Sequence, residues 1–306
     1  MGLVEAIILS VLAASTPLLI AATGELVAER SGVLNLGVEG MMIMGAACGF
    51  AGAYATGSTL IGTVCGIVAG MALAAVFAAL TLGLAVNQVA TGLALTILGV
   101  GLSGLIGAGF VGQRIVPAPH LDIPYLTSLP VVGRILFGQD AYVYLSILLV
   151  VGVWRFLYST RAGLVVRAVG DNHASAHALG YPVLRIRFLA VLFGGACAGL
   201  AGAYLSLAYT PFFIAGMTAG RGWIALALVV FASWRPWRLV AGAYLFGAVT
   251  ILQFHAQGAG LPIPPQLMAS LPYLATVIVL VLISSRRGIA GAAAPASLGL
   301  AFVPDR

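Results

Sequence analysis

Apolar residues run along this chain in long blocks separated by short polar gaps. The blocks fall at 4–22, 33–56, 59–85, 88–110, 140–158, 185–208, 221–234, 238–255 and 269–284. A membrane-crossing helix needs about 20 mostly apolar residues, so these blocks predict spans, and the chain has room for roughly eight to ten. The block at 221–234 is short for a full crossing. It predicts either a half-helix or a span that borrows length from 212–220. The expected fold class is all-α, a polytopic transmembrane helix bundle, with one membrane domain over 1–287 and a flexible cytoplasmic tail over 288–306, rich in Ala and Gly and carrying Pro295 and Pro304. Glycines recur every fourth residue at Gly62, Gly66 and Gly70, and the pairs Gly45 with Gly49 and Gly195 with Gly199 keep the same spacing. This small-xxx-small pattern lets helix backbones approach closely. Ala-Gly-Ala-Tyr occurs at 51–54, 201–204 and 241–244, which fits either an internal repeat or chance in a Gly/Ala-rich chain.

Composition sharpens this picture. The chain is 61% hydrophobic and 7% charged, with a mean hydropathy of +1.12, which leaves no room for a sizeable soluble domain. All 14 Lys-plus-Arg residues are arginine. Without lysine there is no standard phosphate loop of the Walker A type and no Schiff-base chemistry. The net charge of +6 comes from arginines scattered between spans rather than from a stripe, so no nucleic-acid partner is expected; the lipid bilayer is. Arg155, Arg161, Arg167, Arg185 and Arg187 flank the gap at 159–184, and the positive-inside rule puts that gap in the cytoplasm. Arg30 and the pairs Arg235/Arg238 and Arg286/Arg287 then also fall inside, with the C-terminus cytoplasmic, whereas Arg114 and Arg134 fall outside and oppose this orientation. Met1 to Glu5 carry no basic residue, so the first block reads as a retained span rather than a cleaved signal. Cys48, Cys65 and Cys197 lie in apolar blocks without close pairing and read as packing residues. His120 and His255 have no second ligand at metal spacing, so neither metal nor cofactor is expected.

The 159–184 gap is the most informative segment. Gly170, Asp171 and Asn172 predict a turn and an N-cap. A helix of about two turns over 173–179 follows, closed by Gly180 and stopped by Pro182. Such an element, flanked by arginines, is either a docking site for a cytosolic partner or a solvated loop on lipid headgroups.

This gap resembles the coupling segment of ABC importer permeases of the group that handles branched-chain amino acids, simple sugars and nucleosides. The matching residues are Arg161, Gly163, Arg167, Gly170, Asn172, His173, Ala176 and Gly180, although two histidines, His173 and His177, are unusual there. Glu29-Arg30-Ser31-Gly32-Val33-Leu34-Asn35-Leu36-Gly37-Val38-Glu39-Gly40 is similar to the start of that group's second span. The block Gly220 to Ala227, with Trp234, Pro236 and Pro272-Tyr273, points to the nucleoside-type branch. The resemblance covers most of 15–287. It implies a non-enzymatic pore subunit in the inner membrane of a bacterial-type cell, importing nucleosides or related purine and pyrimidine compounds. The alternative within the group is a simple sugar or a branched-chain amino acid. It further implies cytosolic ABC ATPase subunits, a second permease chain, identical or sister, and an extracytoplasmic solute-binding protein. A secondary transporter would need no ATPase, but several charged residues at mid-span would mark it, and Glu39 is the main one here.

Four residues are candidates for the translocation path: Asn35, Glu39, Asn87 and Phe212. Asn35 and Glu39 share a helix face, and an ionisable group at membrane depth is a functional candidate by default. They either hydrogen-bond solute or lock neighbouring helices together. Asn87, with Gln88, reads as a polar turn or an inner gate. Phe212, with Phe213, reads as part of an aromatic belt or as a stacking platform for a nucleobase.

Overall fold

The computed structural model describes residues 2–119, 121, 132–258, single positions between 264 and 281, and 294–303. The ninth predicted span, Pro272-Tyr273, Arg286, Arg287 and His120 lie outside, or mostly outside, the described residues. The described part is an all-helical bundle. The helices are α1 (Leu3–Arg30), α2 (Val38–Thr56), α3 (Thr59–Ala78), α4 (Gln88–Gly107), α5 (Val132–Phe137), α6 (Ala141–Ser159), α7 (Arg161–Asp171), α8 (His173–Ala178), α9 (Val183–Tyr204), α10 (Arg221–Phe231) and α11 (Pro236–Gly258). A π turn extends α3 over Ala79–Gly83, and another extends α9 over Leu205–Tyr209. Among the described residues, seven helices are long and apolar enough to cross a membrane, and α10 is a shorter apolar helix.

The centre of the bundle is α1, α2 and α9, and it is built on small residues. Gly45 of α2 meets the backbone of Gly199 in α9, and Gly70 of α3 meets Gly195 and Gly199, so close that a β-carbon at these positions would overlap the facing helix. The repeating glycines therefore do what their spacing predicts. Pro17 lies inside α1 and cannot donate to the carbonyl of Ala13. The Tyr204 hydroxyl donates to that carbonyl at 3.1 Å instead, which satisfies the backbone within the bundle, as a lipid environment demands.

Three expectations change. The first span is not 4–22: α1 continues to Arg30, and the second begins at Val38. Glu25 and Glu29 ended the apolar block, but they remain helical because protein donors meet them inside the bundle. The seventh block is the half-helix alternative, since α10 ends at Phe231. Gly170 and Asp171 are not a turn but the last residues of α7. Thr160 caps that helix by accepting from Gly163 N at 3.0 Å, and Val165, Val166 and Val169 turn inward while Arg161 stays exposed.

A helix lock and a coupling segment

Two irregular segments lead into helices: the loop 31–37 before α2 and the loop 210–220 before α10. Trp234, just past α10, donates its indole N–H to Glu29 Oε2 at 2.6 Å, and its carbonyl accepts from Arg30 Nη2 at 2.9 Å. The far end of α10 is thus level with the C-terminal end of α1. Eleven residues of helix span about 16 Å, too short to cross a hydrocarbon core of about 30 Å, so the backbone before α10 is left within that depth. Non-helical backbone at that depth survives only when protein groups satisfy it.

Local turns pair Phe212, Met217, Ala219 and Arg221 N–H with backbone carbonyls, and Glu39 takes the donors at the start of α10. Its Oε1 accepts from Thr218 Oγ1 at 2.6 Å and from Gly220 N at 2.9 Å, and its Oε2 accepts from Gly222 N at 2.6 Å. The side chain is only 5% exposed. A buried carboxylate is costly unless fully hydrogen-bonded, and here it sits on the unpaired N–H groups at a helix N-terminus, where the dipole favours negative charge. Gly222 must be glycine because a β-carbon there would strike Glu39. Ala219 before α10 and Ser233 and Trp234 after it take positive φ of 49°, 49° and 54°. Such left-handed positions in non-glycine residues persist only where surrounding contacts hold them.

Asn35 works on the other loop. Its Oδ1 accepts from Gly37 N at 2.9 Å, its Nδ2 points to Met41 Sδ at 3.4 Å, and its own N–H reaches Glu25 Oε1 at 3.2 Å. Gln88 Oε1 accepts from Leu34 N at 2.8 Å, and Thr96 Oγ1 donates to Leu36 O at 3.0 Å. Asn35 and Glu39 do not share a helix face: Asn35 lies in the loop before α2 and Glu39 in its first turn, each buried and bonded to different partners. Asn87 is exposed and caps α4 by accepting from Ala90 N at 3.0 Å. Phe212 is half-buried, and its neighbour Phe213 packs against Gly107 at the opposite end of α4. The four path candidates therefore do not form one cluster. Glu25 and Thr218 were missed as participants, and Gln88 and Trp234, noted in the sequence, have bonds to Leu34 and Glu29 that it did not reveal. The signal that was available was a carboxylate pair at helical spacing, Glu25 and Glu29, inside an apolar stretch.

The predicted coupling segment is two helices, α7 and α8. Asn172 caps α8 by accepting from Ser175 N at 2.9 Å, and Gly180, at φ +85°, ends it. Gly163 packs against the backbone of Phe156 and Leu157, and Gly170 against the Arg30 carbonyl. Arg167 lies over the Tyr158 ring at 5.0 Å. Ala176 is buried with Val169 and Val183, whereas Leu179, 77% exposed, and Tyr181 face outward. His173 Nδ1 is 3.2 Å from Arg187 Nη2. Because a guanidinium only donates, that nitrogen is the acceptor of a neutral imidazole. Burial, and then the Arg187 charge, push the His173 pKa below its usual 6.5.

The described residues thus form a multi-span helical bundle with one short apolar helix, α10, and a paired helical element, α7 and α8. The chain belongs to the family described as the permease component of branched-chain amino acid transport systems, which matches residues 7–284. A protein of Haloferax volcanii, provisionally named as a glucose ABC transporter permease, is 47% identical over 87% of this chain and 88% of its own length. The nucleoside ABC transporter permease NupC of Lactococcus lactis is 29% identical over 99% of this chain and 98% of its own. The guanosine ABC transporter permease NupQ of Bacillus subtilis is 30% identical over 87% of this chain and 88% of its own. No solved structure matches. The chain is thus an ABC importer permease, a non-catalytic multi-pass membrane subunit whose family works with an ATPase and a binding protein.

Proposed function

We propose that this chain conducts a simple sugar of the hexose class. The observation that carries the reading is the gap between 47% identity to the relative named for glucose and 29% and 30% to the relatives named for nucleosides. A nucleoside is the second reading. The blocks around Glu39 and Gly220 favour it, as does the near-complete overlap with the Lactococcus relative. In both readings ATPases dock on 159–184, a second permease chain completes the path, and the arginine-rich face is cytoplasmic. Glu39 acts as a lock that holds the half-helix beside the path, and Asn35 fixes the loop before α2. Asn87 caps a helix at one rim, and Phe212 stands at the other. The test is uptake of labelled glucose and labelled guanosine by cells with and without this gene. Loss of glucose uptake alone is expected; loss of guanosine uptake alone overturns the sugar reading.

A further inference from the structure

The tail expected to be flexible lies, over 294–303, against the coupling segment. Ser297 is 5% exposed. Its N–H donates to Gly170 O at 2.8 Å, and its hydroxyl is 3.4 Å from both His173 N and Asp171 O. Gly299 N donates to Gly32 O at 3.1 Å. Phe302 packs on two imidazoles, with ring centroids 5.1 Å from His173 and 5.3 Å from His177. The tail thereby touches the end of α7, the face of α8 and the turn after α1.

Arg187, in the first turns of α9, is the hub of this arrangement. It is 0% exposed, and its hydrogen-bond partners among the described residues are neutral. Its Nε donates to Ser31 O at 3.1 Å, its Nη1 to Leu300 O at 3.0 Å, and its Nη2 to His173 Nδ1. The guanidinium fork thus joins α1, the tail and α8 to α9, each through a neutral acceptor. A buried cation held this way is an expensive choice if the only need is packing. The planar fork is suited to fixing several acceptors at once. Both α1 and α9 belong to the central helices of the bundle, so displacement of α8 has a direct mechanical route into the membrane.

We propose that Arg187 and residues 294–303 form a clasp that transmits movement of the coupling helix to α1 and α9, with Arg187 as a positioning residue for transport. This rests on the reading that an ATPase docks on 159–184. The assembled importer, with its ATPases and binding protein, is reconstituted in vesicles, and ATP hydrolysed per solute imported is measured for a chain ending at residue 293, for Ser297→Ala with Phe302→Ala, and for Arg187→Lys. The expected result is a ratio raised by about tenfold for the truncated chain, less for the other two, with the ATPase still co-purifying. Arg187→Lys keeps the charge but not the fork, so a raised ratio there separates geometry from charge. An unchanged ratio in the truncated chain at normal assembly overturns the clasp. If the truncated chain fails to assemble, the double substitution decides by the same ratio. Leu179→Asp, on the outer face of α8, tests the docking reading alone. It should abolish ATPase co-purification, and normal co-purification would sink that reading, whatever the clasp variants show.

Discussion

Glu39 and Arg187 are both buried charges, and the bundle handles them in opposite ways. Glu39 is held within the bundle by three donors from one short stretch, 218–222, which form the N-terminus of a single helix. Arg187 is held at the bundle's end by acceptors from three places far apart in sequence: Ser31, His173 and Leu300. The first arrangement is local and closed, suited to a fixed joint at a depth where water cannot take over a lost hydrogen bond. The second gathers separate segments around one fully buried guanidinium, so that moving any one of them disturbs the others. A lock and a clasp thus differ in where their partners come from.

The largest break in this comparison is Glu39→Ala, which strands three donors in the bundle. A loss of about 3 kcal/mol is expected, read as reduced folded yield and a lower melting temperature in detergent. Glu39→Gln sharpens it: if uptake per assembled transporter stays normal, the residue locks helices and does not contact solute. Gly222→Ala should cost about 2 kcal/mol by driving a methyl group against the Glu39 backbone, in the same melting assay, while leaving the clasp untouched. On the other side of the comparison, Asn172→Ala removes the α8 cap and should cost about 1 kcal/mol locally. It would be seen as faster hydrogen exchange over 173–178 with little change in global melting. Mild acid gives the smallest effect. His173 is held neutral by burial and by Arg187, with Asp171 and His177 as its titratable neighbours and Ser297 and Phe302 facing it from the tail. Its folded pKa lies below the unfolded value, so its contribution is fully present above about pH 6.5 and is lost as pH falls through the lower folded value. Hydrogen-exchange protection across 170–178, taken relative to the intrinsic exchange rate at each pH, should fall between about pH 7 and pH 5 and stay flat in His173→Gln.

The apolar blocks located most of the spans because hydropathy and length are local properties. Asn172 and Gly180 announced α8 for the same reason: capping and left-handed termination are read from a few adjacent residues. The resemblance reached the family, but its substrate branch was less well supported. Glu39 stood out as a charge, although its partners lie some 180 residues away. Trp234 gave no sign of its bond to Glu29, which crosses a comparable distance.

By itself, the sequence determined a lysine-free, multi-span helical membrane protein, close helix approaches at the repeating glycines, and a capped helix on the arginine-rich side. Each follows from composition or from spacing within one turn or one span. Only the tertiary structure decided that α1 runs through Glu25 and Glu29, that Glu39 caps a half-helix, and that the tail closes on Arg187. Those are pairings between distant segments, fixed by which buried polar groups must find one another where water is absent.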